Sequence, residues 1–176
     1  MEATMKFIRR VSLIITTIDK EHKSVLLSTR DHNLGMTYHG VHEFPVYGEC
    51  SDISVQEIPL MSLLRALGNP DYESFMRHAR PVPHLLQLDT VHVCEEETGA
   101  TDEISYFTVN ISSKLLARLP DHLMLRSVLV SKNDISWIET TEKSMMHLGA
   151  KMAGTNVITM FPHEKAMLIK VLSLPA

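Results

Sequence analysis

Two runs that favour extended backbone, residues 85–94 and 103–111, flank the charged, turn-forming stretch Glu95-Glu96-Glu97-Thr98-Gly99-Ala100-Thr101-Asp102. Apolar and β-branched residues on both sides of such a turn predict a hairpin. A hairpin commits the chain to a sheet. A second pair comes earlier: residues 7–18 mix β-branched and aliphatic side chains, and Asp19-Lys20-Glu21-His22-Lys23 separates them from Ser24-Val25-Leu26-Leu27-Ser28-Thr29. Those charged and polar residues predict the connecting turn. A further strand is expected over residues 126–131, followed by Asn133-Asp134 and Ile135-Ser136-Trp137-Ile138.

Helices are interleaved with these strands. Ser54 and Glu57 have capping-box spacing ahead of Leu60, Met61, Leu63, Leu64 and Leu67, whose intervals are helical; Pro59 kinks or delays the start and Gly68 closes the element. Asn69-Pro70-Asp71 supplies an N-cap, a proline suited to the first helical position and an early acid, opening a short helix to about Ala79 before Pro81 and Pro83. Thr140 or Thr141 caps a Met-rich helix over residues 142–152, with Gly154 as its stop. At the end, Met167, Leu168, Val171 and Leu172 are spaced as one helix face, although Met167-Leu168-Ile169 also fits a strand. No internal repeat, low-complexity tract or linker-like shift interrupts the order. At 176 residues a chain buries about 70% of its unfolded surface, enough for one core. The expectation is a single domain over residues 1–176, of α/β or α+β class, with a mixed sheet flanked by helices.

Composition narrows the function. The net charge is −4, from 17 basic and 21 acidic residues, so no global positive field favours nucleic acid or an anionic membrane. Cys50 and Cys94 form no C-x-x-C pair and no disulfide framework. The N-terminal apolar stretch is short, without a cleavage pattern, and no segment approaches the roughly 20 apolar residues of a membrane span. An intracellular, cytoplasmic setting is expected.

The candidate site lies in His42-Glu43-Phe44-Pro45-Val46-Tyr47-Gly48-Glu49. An apolar-Pro-x-x-Gly-Glu turn ahead of a helix is expected to deliver a carboxylate to a site. Residues 31–40 lack periodicity and read as a long surface loop leading into it. His39 and His42 read as solvated loop histidines, with a metal or phosphate site as the alternative. Glu57 reads as the capping acid of its own helix, with catalysis as the alternative. Arg30, at a strand end, suits a phosphate or a surface ion pair. Met145, Met146, Met152, Met160 and Met167 read as core filling, with an adaptable partner surface as the alternative.

This succession of hairpin, loop, Phe-Pro-x-x-Gly-Glu, amphipathic helix, long hairpin, strand and last helix resembles the Nudix hydrolase family over most of the chain. The specific points are Val25-Leu26-Leu27-Ser28-Thr29-Arg30, similar to the family's second strand ending in Arg; Glu43-Phe44-Pro45 with Gly48-Glu49; Arg65-Ala66-Leu67, similar to its Arg-Glu-Leu; and Asp134-Ile135-Ser136-Trp137-Ile138, similar to its tryptophan segment before the terminal helix. Active members present Arg-Glu-x-x-Glu-Glu, whose carboxylates hold magnesium or manganese. Here Ala66, Asn69 and Pro70 stand in those places. Glu95-Glu96-Glu97-Thr98-Gly99-Ala100 looks like the family's Glu-Glu-Thr-Gly ending, but Val91-His92-Val93-Cys94 before it alternates as a strand, so a hairpin tip is expected. The resemblance implies a Nudix-like sandwich with a degenerate hydrolytic motif, a pseudoenzyme binding a nucleotide or a protein and requiring no cofactor. Arg30, Glu43, Tyr47 and Arg65 would line its pocket, between the 31–40 loop and the long hairpin. The alternative is a divergent pyrophosphohydrolase with magnesium or manganese on Glu49 and Glu57. A third reading is an unrelated mixed-sheet assembly protein.

Overall fold

The structure, a computed structural model, describes residues 7–29, 41–49, 85–94, 99–117, 127–140 and 158–175. The expected helices over residues 54–79 and 142–152 and the 31–40 loop lie outside them.

The first strand, β1 (Phe7–Asp19), is long because β-branched and aliphatic residues fill both of its faces; Val11, Leu13, Ile14 and Ile15 are all buried. It turns back into β2 (His22–Thr29) with Asp19 paired to His22, so the loop is only Lys20-Glu21. The turn is shorter than the polar run predicts, since His22 and Lys23 are drawn into the ladder by pairing with Asp19 and Ile18. On its other edge β1 runs parallel to β6 (Thr101–Asn110), which is antiparallel to β5 (Leu85–Cys94). This is the expected long hairpin, with a register irregularity between Gln87 and Thr90. β2 also pairs with β7 (Ser127–Ser131).

The remaining strands divide between two partners. β3 (His42–Glu43) pairs with β2, and β4 (Val46–Glu49) pairs with β1. Thr16 bridges Val25 and Asn110 while Arg10 bridges Glu49 and Ile104, so β2 and β4 occupy the same edge of β1 in succession. Val25 pairs with Thr16 and Val130, and Ser28 with Glu43 and Ser127, so β1 and β3 likewise share one edge of β2. The hairpin therefore splays, and residues 42–49 fill the fork. Phe44 and Pro45 sit where the chain leaves β2 for β1, and a proline, lacking an N–H, suits a position between ladders. Together β1 to β7 form one mixed sheet among the described residues.

Past β6, Ser112 caps the short helix α1 (Ser113–Leu116), its hydroxyl accepting from Leu115 N at 3.2 Å. After β7 comes a 3-10 helix (Lys132–Trp137), then β8 (Ile138–Thr140), which pairs in parallel with β9 (Ile158–Met160). The last element is helix α2 (Pro162–Ser173), with Pro162 at its start. Its face of Met167, Leu168, Val171 and Leu172 packs with Ile14, Val25, Leu27, Phe44, Ile104, Tyr106, Val130, Ile138 and Met160. Met160 and Met167 are thus core filling. At the helix end the Lys23 ammonium donates to the carbonyls of Val171, Leu174 and Pro175 at 3.2, 2.9 and 3.2 Å. A cation there answers the unpaired carbonyls of the last turn, although partial burial lowers the Lys23 pKa. No helix among the described residues is long and apolar enough to cross a membrane.

Candidate functional site

Alternation along β1 sends Arg9 and Arg10 to opposite faces of the sheet, and each finds its own carboxylate on β6. Arg9 Nε lies 3.3 Å from Glu103, which also approaches His92 at 3.7 Å. Arg10 Nε lies 3.3 Å from Asp102 Oδ1, and this pair is far more enclosed: Asp102 is 6% exposed. The two atoms are close enough for an ion pair but not aligned as a hydrogen bond. Glu49, the last residue of β4, pairs across the ladder with Arg10, and Tyr47 pairs with Ser12. Gly48-Glu49, read from sequence as a turn, is thus strand, and it ends across the ladder from the residue whose guanidinium is held between strands. A planar guanidinium is the side chain best shaped for phosphate or carboxylate.

On the same face, two positions beyond the Arg10–Ile104 pair, Tyr106 pairs with Ser12 and its hydroxyl donates to Glu164 Oε2 at 2.6 Å. Glu164 lies in the first turn of α2 and is 7% exposed. Phe44 meets Tyr106 edge to face, ring centroids 6.0 Å apart at 80°, a favourable aromatic geometry. The fork residue, the central strand and the C-terminal helix are thereby joined at one point.

Of the residues singled out from sequence, Glu43 closes β3 opposite Ser28 and is half-buried, while Glu49 and Tyr47 lie on β4 against β1. Glu43 and Glu49 belong to ladders on different strands. The β5–β6 hairpin flanks β1 on the edge opposite β4. Arg30, Glu57 and Arg65 lie outside the described residues, as do Ala66, Asn69, Pro70, His39 and Cys50; Cys94 is an exposed thiol at the end of β5. His42 departs from the expected solvated loop. It is a strand residue whose imidazole has lost much of its water, so burial lowers its pKa, partly opposed by a hydrogen bond to the Thr159 backbone. Sequence reasoning passed over Arg10, Asp102, Tyr106 and Glu164. Their signal was available only as charged residues in an otherwise apolar strand and an acid just after the proline that opens α2.

Neither a protein-family model nor a curated protein matches the sequence. Solved structures do. The chain superimposes on a mutT/nudix family protein from Listeria innocua with a TM-score of 0.56 at 12% identity, covering 94% of this chain and 92% of that one. The fold is that of the Nudix hydrolases. The Nudix domain of Shewanella oneidensis NrtR, complexed with ADP ribose, gives a TM-score of 0.52 at 15% identity, covering 97% of this chain and 86% of that one. NrtR complexed with a 27mer DNA gives 0.54 at 16% identity, covering 93% of this chain. This chain spans only 59% of the length of that protein. At such identities the Nudix likeness concerns the fold.

Proposed function

We propose that this Nudix-fold chain is a binding module for a nucleotide derivative of the ADP-ribose type, with its hydrolytic motif degenerate. The observation that carries the reading is the substitution of Ala66, Asn69 and Pro70 for the carboxylates of the hydrolase motif. A hard divalent ion takes several oxygen ligands, and among the described residues no group of three or more His, Cys, Asp or Glu is placed to hold one. Ala66, Asn69 and Pro70 do not supply the oxygen ligands of the metal that the fold family implies. The ADP ribose complex of the NrtR Nudix domain supports the choice of ligand class. The DNA contact of the longer NrtR is not carried over, since a net charge of −4 supplies no general attraction to a polyanion.

The divergent hydrolase remains the second reading because Gly48-Glu49 is retained at the end of β4. It would use Glu49 and Glu57 with magnesium or manganese. Thermal unfolding against ADP-ribose, mononucleotides and dinucleotides, each with and without those ions, separates the two. Ligand at 100 times its dissociation constant stabilises the native state by about 2.7 kcal/mol. The binding reading expects that shift without metal and without product by mass analysis. Metal-dependent product that disappears in Glu49→Gln would establish the hydrolase instead, and no shift with any nucleotide would remove both.

A further inference from the structure

The joint between β3 and β9 is made through His42. Its imidazole hydrogen-bonds the Thr159 backbone, while its Nδ1 is enclosed without a hydrogen-bond partner. Across the joint, Thr159 is 2% exposed and its hydroxyl also lacks a partner. Such atoms are uncommon in native interiors and costly to keep. A neutral imidazole tolerates the arrangement, because an unprotonated Nδ1 presents only a lone pair. Protonation makes it a charged donor with no acceptor beside it, out of reach of water.

We propose that the β3–β9 joint is a proton-operated seam: protonation of His42 opens it and parts β3 from β9. Among the described residues no group that faces His42 compensates an imidazolium. Among the described residues β2 faces this position with Ser28 and Thr29, and β9 with Ile158, Thr159 and Met160, none of them titratable. The charged groups nearby are Glu43, whose side chain alternates to the other face of β3, and Glu139, exposed and opposite Thr159 on β8. The seam matters because of what it connects. β4 with Gly48-Glu49 follows β3 after two residues, and β9 passes through Phe161 into α2. Acid would thus loosen β3, two residues ahead of the strand that carries the candidate site, from the C-terminal side of the fold, whatever that site binds.

The sign follows from linkage. The closed joint holds the imidazole pKa below its ordinary value of about 6.5. Its contribution is complete above that pH and is lost as the pH falls towards the lowered value. Amide exchange on the intact protein, corrected for intrinsic rates, tests this between pH 7.5 and 5. The opening equilibrium for residues 42–43 and 158–160 should rise by up to about tenfold per pH unit below 6.5, while β1–β6 and β1–β4 amides hold steady. His42→Gln, neutral throughout, should abolish the response. An equal response in that variant, or none in the wild type, overturns the seam. Should the variant fail to fold, NMR titration of the wild-type His42 ring decides: a midpoint below the ordinary histidine value is expected, and one at or above it overturns the proposal.

Discussion

A carboxyl group inside a core must be met by a donor, and Glu164 is met by the Tyr106 hydroxyl at 2.6 Å. Hydrogen bonds to charged groups contribute about 1.5–3 kcal/mol when buried, more than any exposed ion pair on this surface, such as that between Lys170 and Asp89. Tyr106→Phe keeps the ring against Phe44 and removes only the donor. It should lower stability by about 1.5–3 kcal/mol, read as a lower urea midpoint at unchanged slope. Glu164→Gln retains an acceptor oxygen and should cost less. A neutral Tyr106→Phe would mean that this contact does not anchor α2 to the sheet.

At the scale of elements, the β1–β2 turn carries a removable strain. Lys20 and Glu21 have φ of 47° and 72°, left-handed values that two-residue hairpins normally assign to Asn-Gly. Non-glycine residues there cost roughly 1–2 kcal/mol each. The pair Lys20→Asn with Glu21→Gly should therefore stabilise the chain by about 1 kcal/mol after glycine's own entropy cost, raising Tm by about 2–4 °C for a chain this size. An unchanged or lower Tm would show that the turn is relaxed as it stands. The same hairpin shows where sequence reading succeeds and stops. Residues 7–18, 85–94, 103–111 and 126–131 declare themselves as strands because apolar and β-branched residues dominate each run; Thr101 and Asp102 read as turn but are drawn into β6, and the spacing of α2 also left a strand open. His22 and Lys23 look like turn residues, yet cross-strand pairing overrides their local preference. The helix α1 is too short to show a period, although Ser112 ahead of Leu115 is its cap signal. At the candidate site Glu49 is a candidate from its Gly-Glu pair, which the structure makes the end of β4. Arg10 is not, because Arg9-Arg10 reads as one basic dipeptide until the register with β6 shows which arginine is enclosed.

At the scale of the whole molecule, the order of contacts along the chain determines how it can come apart. β1 from the N-terminal region pairs with β6 across Phe7–Thr101 to Thr16–Asn110, and β2 pairs with β7. Lys23 holds the end of α2, and Phe44 packs on Tyr106, which holds its beginning. No cut between these elements leaves two pieces with separate cores, because the core residues Ile14, Val25, Phe44, Tyr106, Val130, Met160 and Leu168 come from all of them. The chain should therefore unfold in one cooperative transition, with calorimetric and van't Hoff enthalpies in agreement. Its heat-capacity increment should be about 2.1–2.6 kcal/mol/K for 176 residues at about 12–15 cal/mol/K per residue. Far-ultraviolet dichroism and calorimetry are the probes to compare. Trp137 is 74% exposed in the native state and would report little. Two resolved heat-absorption peaks, or a calorimetric enthalpy well above the van't Hoff value, would divide the chain into separately folding parts in spite of the sheet's central pairing of β1 with β6.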